Sequence, residues 1–196
     1  VRQGRAYRPR LDIFLNHWLV MRRQSEISAR YLFPSFKDYV ESRSETADIE
    51  DIVQDFGQVA RTFREFAHWN ADSVEGIFLY RWEVVQAGVL TPVLLHLFSA
   101  PAESQSEEIR QNGLRALESF LVRRMLCRLT TKDYNRLFLD LLGELAASDE
   151  PSDVVIIRFL ESQSAHSRCW PTDATLTEAL VTQPLYGRIN QGRLRM

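Results

Sequence analysis

Apolar side chains recur at three- and four-residue steps along most of this chain, which is the spacing of one face of an α-helix. The clearest stripe lies in residues 46–69, where acidic side chains come first and suit the positive end of a helix dipole. Its members are Ile49, Ile52, Val53, Phe56, Val59, Ala60, Phe63, Phe66 and Trp69. A shorter stripe predicts the first helix, with Leu11, Phe14, Leu15, Trp18 and Leu19 on one face. Both stripes predict amphipathic helices that bury these faces.

Capping residues and prolines place the other predicted helices. The first of these helices opens near Pro34 and buries Phe36, Tyr39 and Val40; Ser73 caps the next, and Thr91 caps the one after it, with Pro92 following. In the second half, helices are predicted at about 105–128, at 131–146 with Thr131 as cap, and at about 152–163 with Ser152 as cap. The last predicted helix lies within 171–186 and is ended by Pro184. The only weak strand signal is DVVIIRF at 153–159. The predicted fold class is all-α, an irregular multi-helix bundle.

A short linker predicts how the helices are grouped. Residues 99–108, SAPAESQSEE, are polar and turn-forming. They predict two helical lobes, 1–100 and 101–196. The chain begins at Val1 and ends in GRLRM without an obvious stop for its last helix, so it is expected to be a piece of a longer protein.

The composition is that of an ordinary globular protein with an unusual choice of cation. The 196 residues are 45% hydrophobic and 26% charged, with a formal net charge of -2. That balance argues against a chain dominated by nucleic-acid or membrane electrostatics. Only Lys37 and Lys132 are lysines, so 22 of the 24 basic residues are arginines (24 − 2). Either arginine serves phosphate and carboxylate contacts here, or the bias reflects a GC-rich coding sequence.

The sequence contains no recognisable catalytic or metal-binding motif. Cys127 and Cys169 stand far apart without a CxxC spacing, and the histidines lack metal-ligand spacing. His17, His68 and His96 fall in apolar helices and are predicted to be packed core residues. A phosphate-binding glycine loop and a nucleophile elbow are both missing. Without a signal peptide or an apolar run long enough to span a bilayer, the chain is predicted to be cytoplasmic.

Residues 118–128, ESFLVRRMLCR, place charges within an apolar helix. Helical projection puts Glu118 inside the buried stripe and Arg123 on the opposite side, where it should be solvated or available to a partner. Arg124 projects to the flank, and Arg128 projects closer still to the core. Because a buried carboxylate is costly unless paired, Glu118 is expected to meet a cation or backbone donors from another helix. An interhelical ion pair or a helix-capping contact that fixes packing is favoured for Glu118 and Arg124, and a coupling or nucleic-acid contact is the alternative.

The order of several segments resembles the GmrSD-like restriction endonucleases. The segments are DIFLNHWLVMRRQ, RYLFPSFKDYV, LTPVLLHLF, ALESFLVRRMLCRLTTKDYNRLFLDLL and CWPTDATLTEALVTQPLYGRINQGRLRM. Members of this family join a ParB-like nucleotide-hydrolysing domain to an HNH nuclease, and many defend bacteria against phage with modified DNA. The matching part is the helical region between the two enzymatic domains. The family's DGQQR-type motif and its HNH motif do not occur in this sequence, so no catalytic residue is carried over.

The resemblance implies a helical connector in a DNA restriction endonuclease, with 101–196 leading towards a nuclease domain. Its partners would be the flanking nucleotidase and nuclease domains and DNA, and no membrane. The connector itself is expected to hold no cofactor, whereas the parent protein would use a nucleoside triphosphate and a divalent metal. Arg188, Arg193 and Arg195 near the end are the predicted DNA-backbone contacts.

Two other hypotheses remain open at this point. The chain could be an autonomous helical interaction module whose grooves accept a partner helix. It could also hold a small-ligand pocket among Trp69, Phe78, Tyr80 and Trp82. Each hypothesis depends on which side chains the fold brings together.

Overall fold

The computed structural model describes residues 2–3, 6–7, 9–44, 49–101 and 105–196. Helices make up nearly all of the regular structure, so the predicted all-α fold class is confirmed. The helices are α1 Arg10–Arg23, α2 Leu32–Ser44, α3 Ile49–Glu65, α4 Val74–Val85, α5 Thr91–Ser99, α6 Glu107–Leu126, α7 Tyr134–Ala147, α8 Ser152–Glu161, α9 Asp173–Thr182 and α10 Gln191–Leu194. Short 3₁₀ turns at Ala29–Tyr31 and Gly88–Leu90 precede α2 and α5.

A small antiparallel hairpin lies before α1. Strand β1, Arg2–Gln3, pairs with β2, Ala6–Tyr7. The weak strand predicted at 153–159 is wrong, because these residues lie within α8. Helix α8 packs against α6 and α7 and buries residues at helical spacing, namely Val155, Ile156 and Leu160. This packing favours a helix, whereas the β-branched residues alone are compatible with a helix or a strand.

Helix α5 lies at the centre of the bundle. Five of its apolar residues are buried, namely Pro92, Val93, Leu94, Leu95 and Leu97. It packs against α1, α3 and α7, while α6 packs against α4 and α8. The buried side chains form one cluster that includes residues from both sides of position 100. The two sequence halves therefore share a core, and the division into lobes 1–100 and 101–196 stays a prediction.

Three apolar residues that the sequence predicts to lie on buried helix faces are exposed in the structure. Leu11, Ile49 and Val53 are exposed. Helix α3 packs through Ile52, Val59 and the partly buried aromatic residues between and after them, and Ile49 and Val53 lie to one side of that row. A three- to four-residue spacing fixes which residues share a broad face, but the neighbouring helices cover only part of that face.

Hydrogen bonds at the helix ends explain where several elements begin. The Ser73 hydroxyl accepts from the amide of Gly76 at 3.0 Å, which confirms the predicted cap of α4. A Cβ atom at Gly76 would collide with the Asn70 carbonyl oxygen, so this close turn requires glycine.

Three other predicted caps are wrong. Helix α5 is preceded by Leu90, and the hydroxyl of Thr91 donates instead to the Gly88 carbonyl at 2.6 Å. The cap residues of α7 and α8 are Asp133 and Pro151, so α7 starts after Thr131 and Ser152 is the first residue of α8. The start of α2 also lies earlier than Pro34, because a 3₁₀ turn leads directly into Leu32.

Candidate anion-binding site

An open cleft of about 470 Å³ lies where the ends of α4 and α6 meet the start of α7 and the C-terminal segment. Residues 85–89 form one wall, residues from α6 and the turn into α7 form the second, and residues 188–193 form the third. The cleft therefore joins parts of the chain that are up to about a hundred residues apart in sequence.

Three arginines line this cleft, and none of its described lining residues is acidic. They are Arg128, Arg188 and Arg193. Arg193 is held in place, since its guanidinium donates to the Val84 carbonyl at 3.3 Å and to the Gln86 side-chain oxygen at 3.1 Å. Side chains with donor and acceptor atoms, such as Asn135 and Asn190, fill out the lining. Three positive charges with no acidic residue in the described lining suit a phosphate or another anion.

The first turn of α7 adds to this electrostatic character. Tyr134 and Asn135 line the cleft, and no side chain caps the helix that starts there. The amide of Tyr134 donates to the Thr131 carbonyl at 3.1 Å, and the Asp133 carboxylate before it pairs with Arg168, so the remaining first-turn amides supply the partial positive charge. The helix end reinforces the arginines in attracting an anion.

Two residues of the cleft have an unusual backbone conformation. Among the described non-glycine residues only Gln24, Gln86 and Arg128 have positive φ, and the last two line the cleft, with φ of 61° and 55°. Side chains other than glycine, asparagine and aspartate rarely take the left-handed region. Glycine is the usual residue at this position after a helix, but here Gln86 and Arg128 occupy it, and their side chains line the cleft.

Six described arginines outside the cleft are neutralised by carboxylates. The pairs are Arg22 with Asp55, Arg81 with Glu118, Arg110 with Glu75, Arg123 with Asp173, Arg158 with Glu150, and Arg168 with both Asp133 and Asp140. By contrast, Arg128 and Arg188 form no ion pair or side-chain hydrogen bond with another residue of the described part of the chain. The cleft therefore brings together two arginines that have no carboxylate partner in the described chain and a third, Arg193, whose partners are uncharged.

The structure sorts the charges of residues 118–128 differently from the helical projection. Glu118 does meet a cation from another helix, as predicted, because it pairs with Arg81 of α4. Arg123 is partly exposed and has partners in the chain itself: its guanidinium donates to the Pro171 carbonyl at 3.2 Å and pairs with Asp173 at 2.6 Å. The segment before α9 covers the helix face that the projection leaves open.

Arg124 is fully buried rather than on a flank, and it forms no ion pair with a described residue. Its five N–H donors reach the Tyr134 hydroxyl and the carbonyls of Thr130, His166, Ser167 and Cys169, at 2.7–3.5 Å. The guanidinium also lies over the rings of Phe120 and Tyr134. The predicted ion pair is wrong for this residue, which instead ties the loop after α8 to α6 by hydrogen bonds to carbonyls.

Arg128 is exposed, not near the core as the projection predicts. Helix α6 ends at Leu126, and the positive φ of Arg128 turns the chain away from the helix axis. Projection at a fixed angle per residue applies only within the helix. Arg195 is exposed as well, but it does not line the cleft, so the structure brings together only Arg188 and Arg193 of the predicted DNA contacts.

The aromatic residues proposed as a ligand pocket do not converge on one cavity. Phe78 is buried in the core, and Tyr80 is 58% exposed. Trp69 packs edge-on against Phe98, and Trp82 donates its indole N–H to the Ala87 carbonyl at 2.8 Å. Only Phe78 and Trp82 border a common space, and its volume of about 10 Å³ is too small for a ligand. This hypothesis is therefore wrong.

The histidines confirm most of the packing prediction. His17 and His96 are half-buried, and burial lowers the pKa of both imidazoles, to about 4 for His17. His68 is exposed, contrary to expectation, because it lies beyond the end of α3. Within the described residues, no group of histidine, cysteine and carboxylate side chains could hold a metal ion. Nor does any helix described there combine the length and apolar character needed to cross a membrane.

The fold and the cleft define an all-α bundle with a candidate anion site. No match to this chain is found among protein-family models, curated proteins or solved structures. The function is therefore argued from the cleft and from the resemblance of the sequence segments.

Proposed function

We propose that this chain is a helical connector in a GmrSD-like restriction endonuclease and that its arginine cleft binds the phosphate backbone of nucleic acid. The observation that carries the nucleic-acid part is the collection of Arg128, Arg188 and Arg193 in one cleft without an acidic lining residue. The connector part rests on the segment resemblance, which includes both ESFLVRRMLC and WPTD with PLY.

Because the chain as a whole is slightly acidic, nucleic-acid binding depends on where its cations cluster. At a formal net charge of -2, long-range attraction does not draw the chain to a polyanion. Binding must come from a local surface where cations outnumber acids. The cleft is such a surface, and arginine suits it because its planar donors match phosphate oxygens in pairs.

A salt titration tests the proposal directly. Fluorescence anisotropy of labelled DNA with the whole 196-residue chain should show binding at about 50 mM salt that weakens as salt rises. With about three phosphates neutralised, the logarithm of the affinity should fall against the logarithm of the salt concentration with a slope of about -2 to -3.

Charge removal at one exposed position sharpens this test. Arg188→Gln should lower the affinity at low salt and make the slope shallower by about 1, because one phosphate contact is lost. Arg64→Gln is the matched control: Arg64 is also exposed, but it lies on α3 and does not line the cleft. Equal effects of the two changes, or no DNA binding at low salt, would refute the nucleic-acid contact.

A further inference from the structure

A second open compartment, of about 480 Å³, lies next to the arginine cleft. Its floor is apolar and includes Phe138 and Leu142 of α7 and Pro92 of α5. Its rim is polar and includes Asn16, His17 and Glu26. The side-chain amide of Asn16 donates to the Ile27 carbonyl at 2.9 Å, which fixes its orientation.

The two compartments are parts of one groove. Val89 and Asn135 line both of them, so the first turn of α7 and the 3₁₀ turn before α5 form the boundary. Asn135 is exposed at this boundary and offers a donor and an acceptor to either side. A ligand longer than one compartment can therefore extend from the arginines across Asn135 into the second space.

The ends of the groove differ in charge. Among the described lining residues, three arginines and no carboxylate line one end. Glu26 is the only charged one at the other end, where His17 is neutral at pH 7. An anionic group is attracted to the first end and disfavoured at the second. The second end instead offers an apolar floor and neutral hydrogen-bonding groups, which suit a flat, uncharged, polar ring.

We infer that the groove holds one nucleotide unit of a single-stranded nucleic acid, with its phosphate against Arg128 and Arg188 and its base in the second compartment. This inference rests on the proposed function and gives it a substrate class. A base paired within a duplex is stacked and cannot enter a lateral compartment, whereas an unpaired base can. The backbone would then follow the arginine end, as in proteins that combine a basic groove with contacts to the base faces.

Comparison of an intact strand with an abasic strand tests the base compartment. Both strands carry the same backbone charge, so the arginine cleft alone would bind them equally. In anisotropy titrations of the whole chain at about 50 mM salt, a 12-nucleotide DNA strand should bind about tenfold more tightly than the abasic strand of equal length. The same intact strand should bind more tightly than the duplex that it forms with its complement.

Filling the second compartment should abolish this difference. Ser28 lines it, is exposed and forms no side-chain cap, so Ser28→Leu adds aliphatic bulk at little cost to folding. The variant should bind the intact strand as weakly as the abasic one, with unchanged abasic binding. Ser164→Leu is the matched control, at an exposed serine outside both compartments.

The outcomes separate this inference from the proposed function. Equal affinity for intact and abasic strands, with normal salt dependence, would overturn the base compartment and leave backbone binding in place. A deoxynucleoside monophosphate that displaces the strand at a concentration near the dissociation constant of the strand would assign the groove to a free nucleotide and overturn the single-strand assignment. Failure of every strand to bind at low salt would remove both proposals.

Discussion

Arg124 and Arg128 are four residues apart, yet the fold uses them in opposite ways. Arg124 is fully buried, and each of its N–H donors has a protein partner. Arg128 is exposed at the cleft, in a left-handed backbone conformation, with no ion pair to another described residue. A guanidinium whose donors are all used within the fold stabilises it, whereas one left without partners is available to a ligand.

The same contrast extends over two regions of the molecule. Around the loop after α8, Arg123, Arg124 and Arg168 all donate to backbone carbonyls or carboxylates of the chain itself. Around the cleft, only Arg193 is fixed by the protein, and its partners are uncharged. The arginines of these two regions therefore occupy different physical environments.

The largest expected effect is the loss of Arg124. In Arg124→Met the chain keeps a long apolar side chain but leaves buried carbonyl oxygens of the loop without donors. The free energy of unfolding should fall by about 3–5 kcal/mol, since each unpaired buried polar group is costly. Urea denaturation followed by circular dichroism measures this. Arg128→Gln, at the exposed position, should change the stability by less than about 0.5 kcal/mol, and a comparable loss in both would break the contrast.

The next effect comes from His17, at the end of the groove away from the arginines. Its folded-state pKa of about 4 lies below the ordinary histidine value of 6.5, so the unfolded chain takes up a proton first as pH falls. The stabilisation is complete above about pH 6.5 and is lost towards pH 4, by up to about 3 kcal/mol. The arginines keep their charge over this range, so this loss comes from His17 at the second compartment and not from the arginine cleft.

Denaturant titrations at pH 7 and pH 4.5 check this dependence. His17→Asn should remove a large part of the acid-induced loss, and burial of His96 should account for a further part because it also lowers that pKa. His68→Asn, at an exposed position, should leave the loss unchanged. An equally steep loss in the His17 variant would show that its imidazole is not desolvated.

A smaller effect is expected at the two partly exposed ion pairs of α6. Sequence projection predicts that Glu118→Ala destabilises the fold and that Arg123→Ala leaves it nearly intact. In the structure both side chains contact another segment, Arg81 for Glu118 and the Pro171 carbonyl for Arg123. Each substitution should therefore cost about 1 kcal/mol in the free energy of unfolding. If Glu118→Ala lost several times more free energy of unfolding than Arg123→Ala, the prediction from helical projection would be right, and Arg123 would not be a structural residue.

Physical differences explain which of these features could be predicted from the sequence. Some local signals predict correctly: the Ser73 cap, the buried face around Trp18, and the need of Glu118 for a cation follow from groups within a turn or from desolvation. The equally local cap signals at Thr91, Thr131 and Ser152 are wrong. The surroundings of Arg124 depend on a loop about 40 residues later, which no helical projection contains. The position of Arg128 depends on where α6 stops, and the chain direction changes at that point.

The candidate site was only partly visible for the same reason. Arg188 and Arg193 were predicted to contact DNA because cations near the end of the chain suit a phosphate backbone. Nothing in the sequence connects them to Arg128 or to Gln86, which lie about 60 and 100 residues earlier. The packing of α10 against α4 creates that neighbourhood.

The smallest expected effect on stability gives the sharpest test of the contrast. Arg128 has φ of 55°, a conformation that glycine adopts without steric cost. Arg128→Gly should therefore raise the free energy of unfolding by about 0.5–1 kcal/mol while it weakens DNA binding at low salt. Gln24→Gly is the matched control, because Gln24 ends α1 with φ of 49° and lies outside the cleft. It should stabilise the fold similarly and leave binding unchanged.

If replacing a side chain raises the free energy of unfolding and weakens ligand binding, that side chain serves the ligand and not the fold. If Arg128→Gly destabilised the chain, Arg128 would belong with Arg124 among the structural arginines.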